Sequence, residues 1–255
     1  MKNLIILLLS VNVSFSQDTL TVFDRPGVAD SPYITDKANW QFENGFAYSQ
    51  NGGFSEAIIP SSMLRKSFLG GNELRIAFNY EPQMIGIIKK HMANNYDPIA
   101  IGIKRKLLKE NKFIPETAIL INTYYPMQLL NKFKKSDVYN FEMNLLCHNN
   151  LNSKVAINYN IGTNFSNFYK KGILNYSFCL NVNLSEKSGL FVETFGYKTL
   201  RAKNNELGWD VGFVFNPNPS SQIDFSFITN YYSNSSYGSL LLGYSFILKN
   251  KSLRK

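Results

Sequence analysis

Apolar and polar residues alternate with a period of two along most of this chain, and that period limits it to extended strands with two unlike faces. The clearest runs are Leu74, Ile76, Phe78 and Tyr80; Tyr139, Phe141, Met143 and Leu145; and Leu174, Tyr176, Phe178, Leu180 and Val182. Between them stand Arg75, Ala77 and Asn79; Asn140, Glu142 and Asn144; and Asn175, Ser177 and Asn181. One face is greasy and the other wet, which is the wrong pattern for the shared core of a sandwich. It fits an all-β fold, a transmembrane antiparallel up-and-down β-barrel with lipid outside and water or ion pairs inside.

The alternation predicts strands near Trp40–Tyr48, Ala57–Phe68, Glu73–Tyr80, Pro98–Leu107, Pro115–Tyr124, Tyr139–Cys147, Lys154–Ile161, Leu174–Leu184, Leu190–Tyr197, Leu207–Phe215, Ile223–Tyr231 and Tyr237–Leu248. That is about twelve, within a range of roughly ten to fourteen, and even in number as bacterial outer-membrane barrels are. The connections alternate as well. LGGN, KENKF, HNNLNS, LSEKSG and NPNPSSQ are short and rich in turn formers. EPQMIGIIKKHMANNYD, YPMQLLNKFKKSD, GTNFSNFYKKG, KTLRAKNNE and YSNSSY are mostly longer. Short periplasmic turns and longer external loops are the asymmetry of this architecture. Tyr48, Tyr80, Tyr124, Tyr159, Tyr197 and Tyr231 close strands running outward, while Tyr139 and Tyr237 open strands running back. On this reading they form an aromatic girdle at the outer rim.

Residues 1–16 have the form of a secretory signal: Lys2, the apolar stretch Leu4–Leu9, and Ser14-Phe15-Ser16 before Gln17. That apolar stretch is far shorter than the ~20 residues a spanning helix needs. Residues 17–38 are then expected as a periplasmic arm, 39–248 as the barrel, and 249–255 as a basic tail, placing the protein in the cell outer membrane. The final strand carries Leu240, Leu242, Tyr244 and Phe246 on one face, similar to the aromatic-ended assembly signal of such barrels, with Ile247–Lys255 expected to hang in the periplasm. Cys147 and Cys179 fall on opposite phases of non-neighbouring strands, so both are expected to be free thiols. The net charge of +9 is spread over turns and tail rather than one face, which argues against nucleic acid as a partner.

Several short motifs resemble those of the MetA-pathway phenol-degradation, or "transporter", barrels of Bacteroidetes type. The mature N-terminus carries Asp24-Arg25-Pro26 and Asp30-Ser31-Pro32 ahead of the Trp40-Gln41-Phe42-Glu43-Asn44-Gly45 strand. Ser62-Met63-Leu64-Arg65-Lys66 and Glu73-Leu74-Arg75-Ile76 resemble a second family hairpin. Pro98-Ile99-Ala100-Ile101-Gly102-Ile103-Lys104 and Pro115-Glu116-Thr117-Ala118 resemble a third. After Arg65 the chain has Lys66-Ser67 where the family carries an aromatic and a glycine. The resemblance implies an outer-membrane barrel with a transport role; it does not make phenol the solute.

The inward phase collects Glu43, Arg65, Glu73, Arg75, Lys104, Lys106, Glu116, Glu142, Glu193, Asp210 and Asp224. Two readings stand. Charges of both signs in one enclosed space can pair and seal the barrel, or can line a narrow conduit and set its selectivity. The arm is expected to enter the barrel, with Asp24 or Arg25 pairing to those groups. External connections carry Lys89, Lys90, His91, Lys132, Lys134, Lys135, Lys170, Lys171, Lys198, Arg201 and Lys203, which are expected to be solvated, to hold lipopolysaccharide phosphates or to draw in anionic solutes. With only His91 and His148, no GxSxG and no metal-ligand spacing, neither enzyme nor cofactor is expected. The expected role is a channel for small solutes, the alternative a plugged barrel that anchors partners, and the last a lipid-modifying barrel. Arginine at Phe178 or Leu180, on the lipid phase, should cost about 2–4 kcal/mol near the midplane, and at Ser177 far less.

Overall fold

The computed structural model describes residues 23–51, 54–79, 99–112, 114–125, 140–166, 171–200, 205–232 and 235–249. They form β1 (Asn39–Asn51), β2 (Phe54–Phe68), β3 (Asn72–Asn79), β4 (Ile99–Leu108), β5 (Glu116–Tyr125) and β6 (Asn140–Asn150). The series continues with β7 (Val155–Ser166), β8 (Lys171–Asn183), β9 (Ser188–Thr199), β10 (Asn205–Asn218), β11 (Ser221–Tyr232) and β12 (Ser235–Lys249). Each strand pairs antiparallel with its sequence neighbours, and β1 pairs with β12 from Asn39↔Lys249 to Gln50↔Gly238, closing a twelve-stranded barrel. Closure removes both sheet edges, the condition for a sheet to sit in lipid.

The faces follow the alternation. On β10, Leu207, Trp209, Val211, Phe213 and Phe215 are exposed on the outer surface, whereas Gly208, Asp210 and Gly212 between them are buried. Phe178 and Leu180 on β8 lie on the same outer surface. At the lower rim, the end where β1 begins, the β2–β3 turn uses Gly70 (φ 67°) and Gly71 (φ 84°), a left-handed pair that side chains rarely adopt.

Three expectations need correction. GTNFSNFYKKG, KTLRAKNNE and YSNSSY are partly strand: β7 runs to Ser166, β8 begins at Lys171, β9 reaches Thr199, β10 begins at Asn205, β11 reaches Tyr232 and β12 begins at Ser235. Ladder hydrogen bonds continue past the apolar stretch, so the strands outlast the alternation that marks them. The tail does not begin at Ile247 either, because Ile247, Leu248 and Lys249 pair with Gln41, Trp40 and Asn39. Nor do the tyrosines form one girdle. Tyr124 and Tyr197 belong to the inward phase of β5 and β9, and Tyr159 faces out but sits in the lower half of β7. Tyr48 is outward and near the upper rim, paired with Leu240. Tyr80 and Tyr139 lie outside the described residues, as do the side chains of Tyr231 and Tyr237. Both cysteines are free and buried.

Candidate functional site: an arm bound across the lumen

Residues 23–35 lie inside the barrel, and the carboxylate of Asp24 sits at the centre of their attachment. It meets Lys104 Nζ at 2.8 Å, Arg65 Nη1 at 3.2 Å and Arg75 Nη2 at 3.2 Å. These cations come from three successive strands, β4, β2 and β3, whose register brings Arg65 opposite Arg75. Arg65 is fully buried and donates from Nε to Glu73 Oε1 (3.0 Å), from Nη1 to Glu43 Oε1 (2.8 Å) and from Nη2 to the Tyr33 carbonyl (3.0 Å). Lys104, equally buried, also donates to the carbonyls of Ser31 (2.8 Å) and Tyr33 (3.2 Å). Burial raises the Asp24 pKa, but Arg65, Lys104 and Arg75 outweigh it and hold the carboxyl well below the usual range.

The rest of the arm is tied to the wall by its own backbone. Glu43 accepts from the amides of Asp24 (3.3 Å) and Arg25 (3.0 Å), Glu193 from Val28 (2.8 Å), and Glu73 from Thr35 (2.7 Å). Ser67 donates to the Thr35 carbonyl, Gln222 to that of Arg25 (3.0 Å), and Asn160 to that of Asp30 (3.1 Å). Arg25 reaches the β11–β12 side, where its guanidinium meets Asp224 at 3.4 Å and the Leu242 carbonyl at 3.2 Å. It fits there because Gly45 and Gly243 have no Cβ; one added at either would collide with the guanidinium. Asp30 pairs with Arg75 at 3.0 Å, and the Tyr33 ring packs edge-on against His148 at 5.0 Å. Strands β1–β4, β6, β7, β9, β11 and β12 therefore all hold the arm.

All eleven inward residues named from the sequence face the lumen. Glu43, Arg65, Glu73, Arg75 and Lys104 join Asp24 in one network, and Asp224 joins Arg25. Lys106 and Glu116 form a separate pair between β4 and β5. Glu193 binds the arm, and Asp210 lies opposite it in register on β10. Glu142 is isolated from every cation among the described residues; Asn122 (3.2 Å), Asn144 (2.9 Å), Asn175 (3.1 Å) and Tyr124 all donate to it. A cavity of ≈ 90 Å³ remains between the arm and the β6–β9 wall, lined by Val28, Asp30, Glu142, Asn160, Asn175 and Tyr197 among others. It has room for a few waters.

The wet-lumen reading missed an apolar component. Ala118, Leu120 and Leu146 form one buried inward cluster, and Ala29 of the arm packs with Cys179 and Phe191 in another. Phe195 is also buried on the inward phase of β9. Of the external cations, Lys198 is on β9, Lys171 lies on β8 with its side chain undescribed, and Lys89, Lys90, His91, Lys132, Lys134, Lys135, Lys170, Arg201 and Lys203 lie outside the described residues.

This is the fold of outer-membrane channels. The barrel superposes on the NanC porin (TM-score 0.57, 8% identity) over 80% of this chain and 98% of that one. It superposes on an outer-membrane channel from Pseudomonas putida F1 (TM-score 0.57, 9% identity) over 88% and 99%. The KdgM porin, solved in complex with disordered oligogalacturonate, matches with a TM-score of 0.51 and 9% identity over 80% and 99%. No protein-family model and no curated protein matches the sequence.

Proposed function

We propose that the protein is an outer-membrane channel for small solutes whose N-terminal arm is its gate. The observation that carries this reading is the arm itself, which crosses a closed barrel and is held by ion pairs and hydrogen bonds rather than by continuous apolar packing. Ion pairs and hydrogen bonds can be exchanged for water when the arm leaves, so the lumen stays a viable wet space without it. A cavity of ≈ 90 Å³ is well below the several hundred Å³ of ordinary ligand pockets. On this reading the arm-bound state admits only water and small ions, and larger solutes need the arm displaced. The short motifs shared with the MetA-pathway phenol-degradation barrels support the same assignment without naming a solute. The His148 imidazole is engaged by Asn158 Oδ1 at 2.6 Å and by the Tyr33 ring.

Deleting Gln17–Lys37 tests this in planar bilayers. The expected result is a steady single-channel conductance several-fold above that of the full chain. An unchanged trace from a folded, heat-modifiable barrel would refute the gate. Silence in both forms would favour the alternative, a sealed barrel that anchors partners.

A further inference from the structure

The inner wall is divided by charge. Among the described side chains, every inward lysine or arginine of the membrane-crossing wall is on β2–β4, and each is paired: Arg65, Arg75 and Lys104 with the arm, Lys106 with Glu116. The inner face of β5–β11 carries carboxyl groups, amides and hydroxyls, and no described lysine or arginine. The cavity of ≈ 90 Å³ lies against that second wall.

Glu142 turns this wall's amides toward itself. An ionised carboxylate only accepts, so the NH₂ groups of Asn122, Asn144 and Asn175 must all turn toward it, and the Tyr124 hydroxyl does too. Asn160 spends its NH₂ on the Asp30 carbonyl. Two acceptors are left over, since Asn160 Oδ1 and Asn175 Oδ1 have no donor among the described residues. Asp30, already paired with Arg75 at 3.0 Å, lines the cavity from the arm side and leaves Glu142 as its unpaired carboxylate among the described residues. An anion entering here finds no lysine or arginine in the cavity lining, whereas the carboxyl and carbonyl oxygens face it. A solute bringing positive charge and N–H groups finds both of its complements.

We propose that the passage between the arm and the β6–β9 wall selects cations and recognises small organic ammonium solutes, with Glu142 as the residue that sets the selectivity. This rests on the channel reading and runs opposite to what the chain's net charge of +9 suggests. It also separates this lumen from a path suited to acidic sugars.

The test is the reversal potential of the full chain in a KCl gradient, repeated with propylammonium chloride and with sodium propionate. The expected result is a cation-to-anion permeability ratio clearly above unity, as a carboxylate-lined passage gives. Glu142→Gln should bring the ratio toward unity, and Glu142→Asp should keep it. A preference for chloride or propionate, or a ratio unmoved by Glu142→Gln in a heat-modifiable barrel, overturns the proposal. If the full chain does not conduct, the channel reading fails on its own, and calorimetry on the detergent-folded barrel decides this inference. Binding heat from propylammonium that Glu142→Gln abolishes supports it. Heat from propionate, equal heat from glycerol, or none from propylammonium overturns it.

Discussion

Replacing Arg65 with methionine should lower the unfolding free energy of the barrel by about 3–5 kcal/mol, the cost of removing one partner from a buried ion network. The side chain is fully buried, and its fork serves Glu43 and Glu73 of the wall, Asp24 of the arm, and the Tyr33 carbonyl. Without it, three carboxylates share an enclosed space with Lys104 and Arg75, and those two are already bound to Asp24. Arg65→Lys should recover only part of the loss, because one ammonium cannot satisfy directions separated as widely as the guanidinium Nε and Nη1. Urea unfolding in detergent micelles measures both variants, and protease access to residues 23–38 reports whether the arm detaches first. A cost under about 1 kcal/mol, the range of an exposed pair, would mean that water already screens this network and that the arm is only loosely seated.

The barrel was legible because lipid imposes its chemistry on alternate residues over every strand. All twelve strands, their antiparallel order and the inward phase of the charged residues follow from that single period. The arm's attachment was partly legible, since Asp24 and Arg25 were recognisable as groups in need of partners. Which partners they meet depends on where the arm crosses, and no local pattern encodes that. Ala118, Leu120 and Leu146 show the limit most clearly. β5 reads Glu-Thr-Ala-Ile-Leu-Ile-Asn-Thr-Tyr-Tyr and is apolar on both faces through its middle, because lipid covers one side while the lumen side is closed to solvent. Alternation reports the contrast between the faces, so it is silent where both are dry. Tyr124 and Tyr197 were misplaced for a related reason: proximity to a strand end was weighed above phase, and phase decides the face. Glu142 was assigned to the lumen correctly, but its isolation from cations required knowing that Asn122, Asn144 and Asn175 from three strands converge on it.

Arginine at Phe178 should cost about 2–4 kcal/mol, the penalty for a charge near the centre of the lipid face. Phe178 is 47% exposed on the outer surface, midway along β8 and flanked by Tyr159 and Thr194. Leu180→Arg, two residues nearer the lower rim, should cost somewhat less as the side chain reaches toward the interface. Ser177 is not the mild control that its phase alone suggests. It is 7% exposed, lines the cavity, and lies opposite Phe195 in register, so an arginine there must push against packed neighbours. The two penalties have different origins, and the arm separates them. Deleting Gln17–Lys37 opens the lumen to water and should relieve most of the cost of Ser177→Arg, while Phe178→Arg still faces lipid and keeps its full cost. Unfolding of the four combinations in lipid vesicles gives both differences. If arm deletion relieved Phe178→Arg and left Ser177→Arg unchanged, the inner and outer faces of β8 would be reversed, and the lumen assignment of Cys179 and Asn175 on the same strand would fall with them.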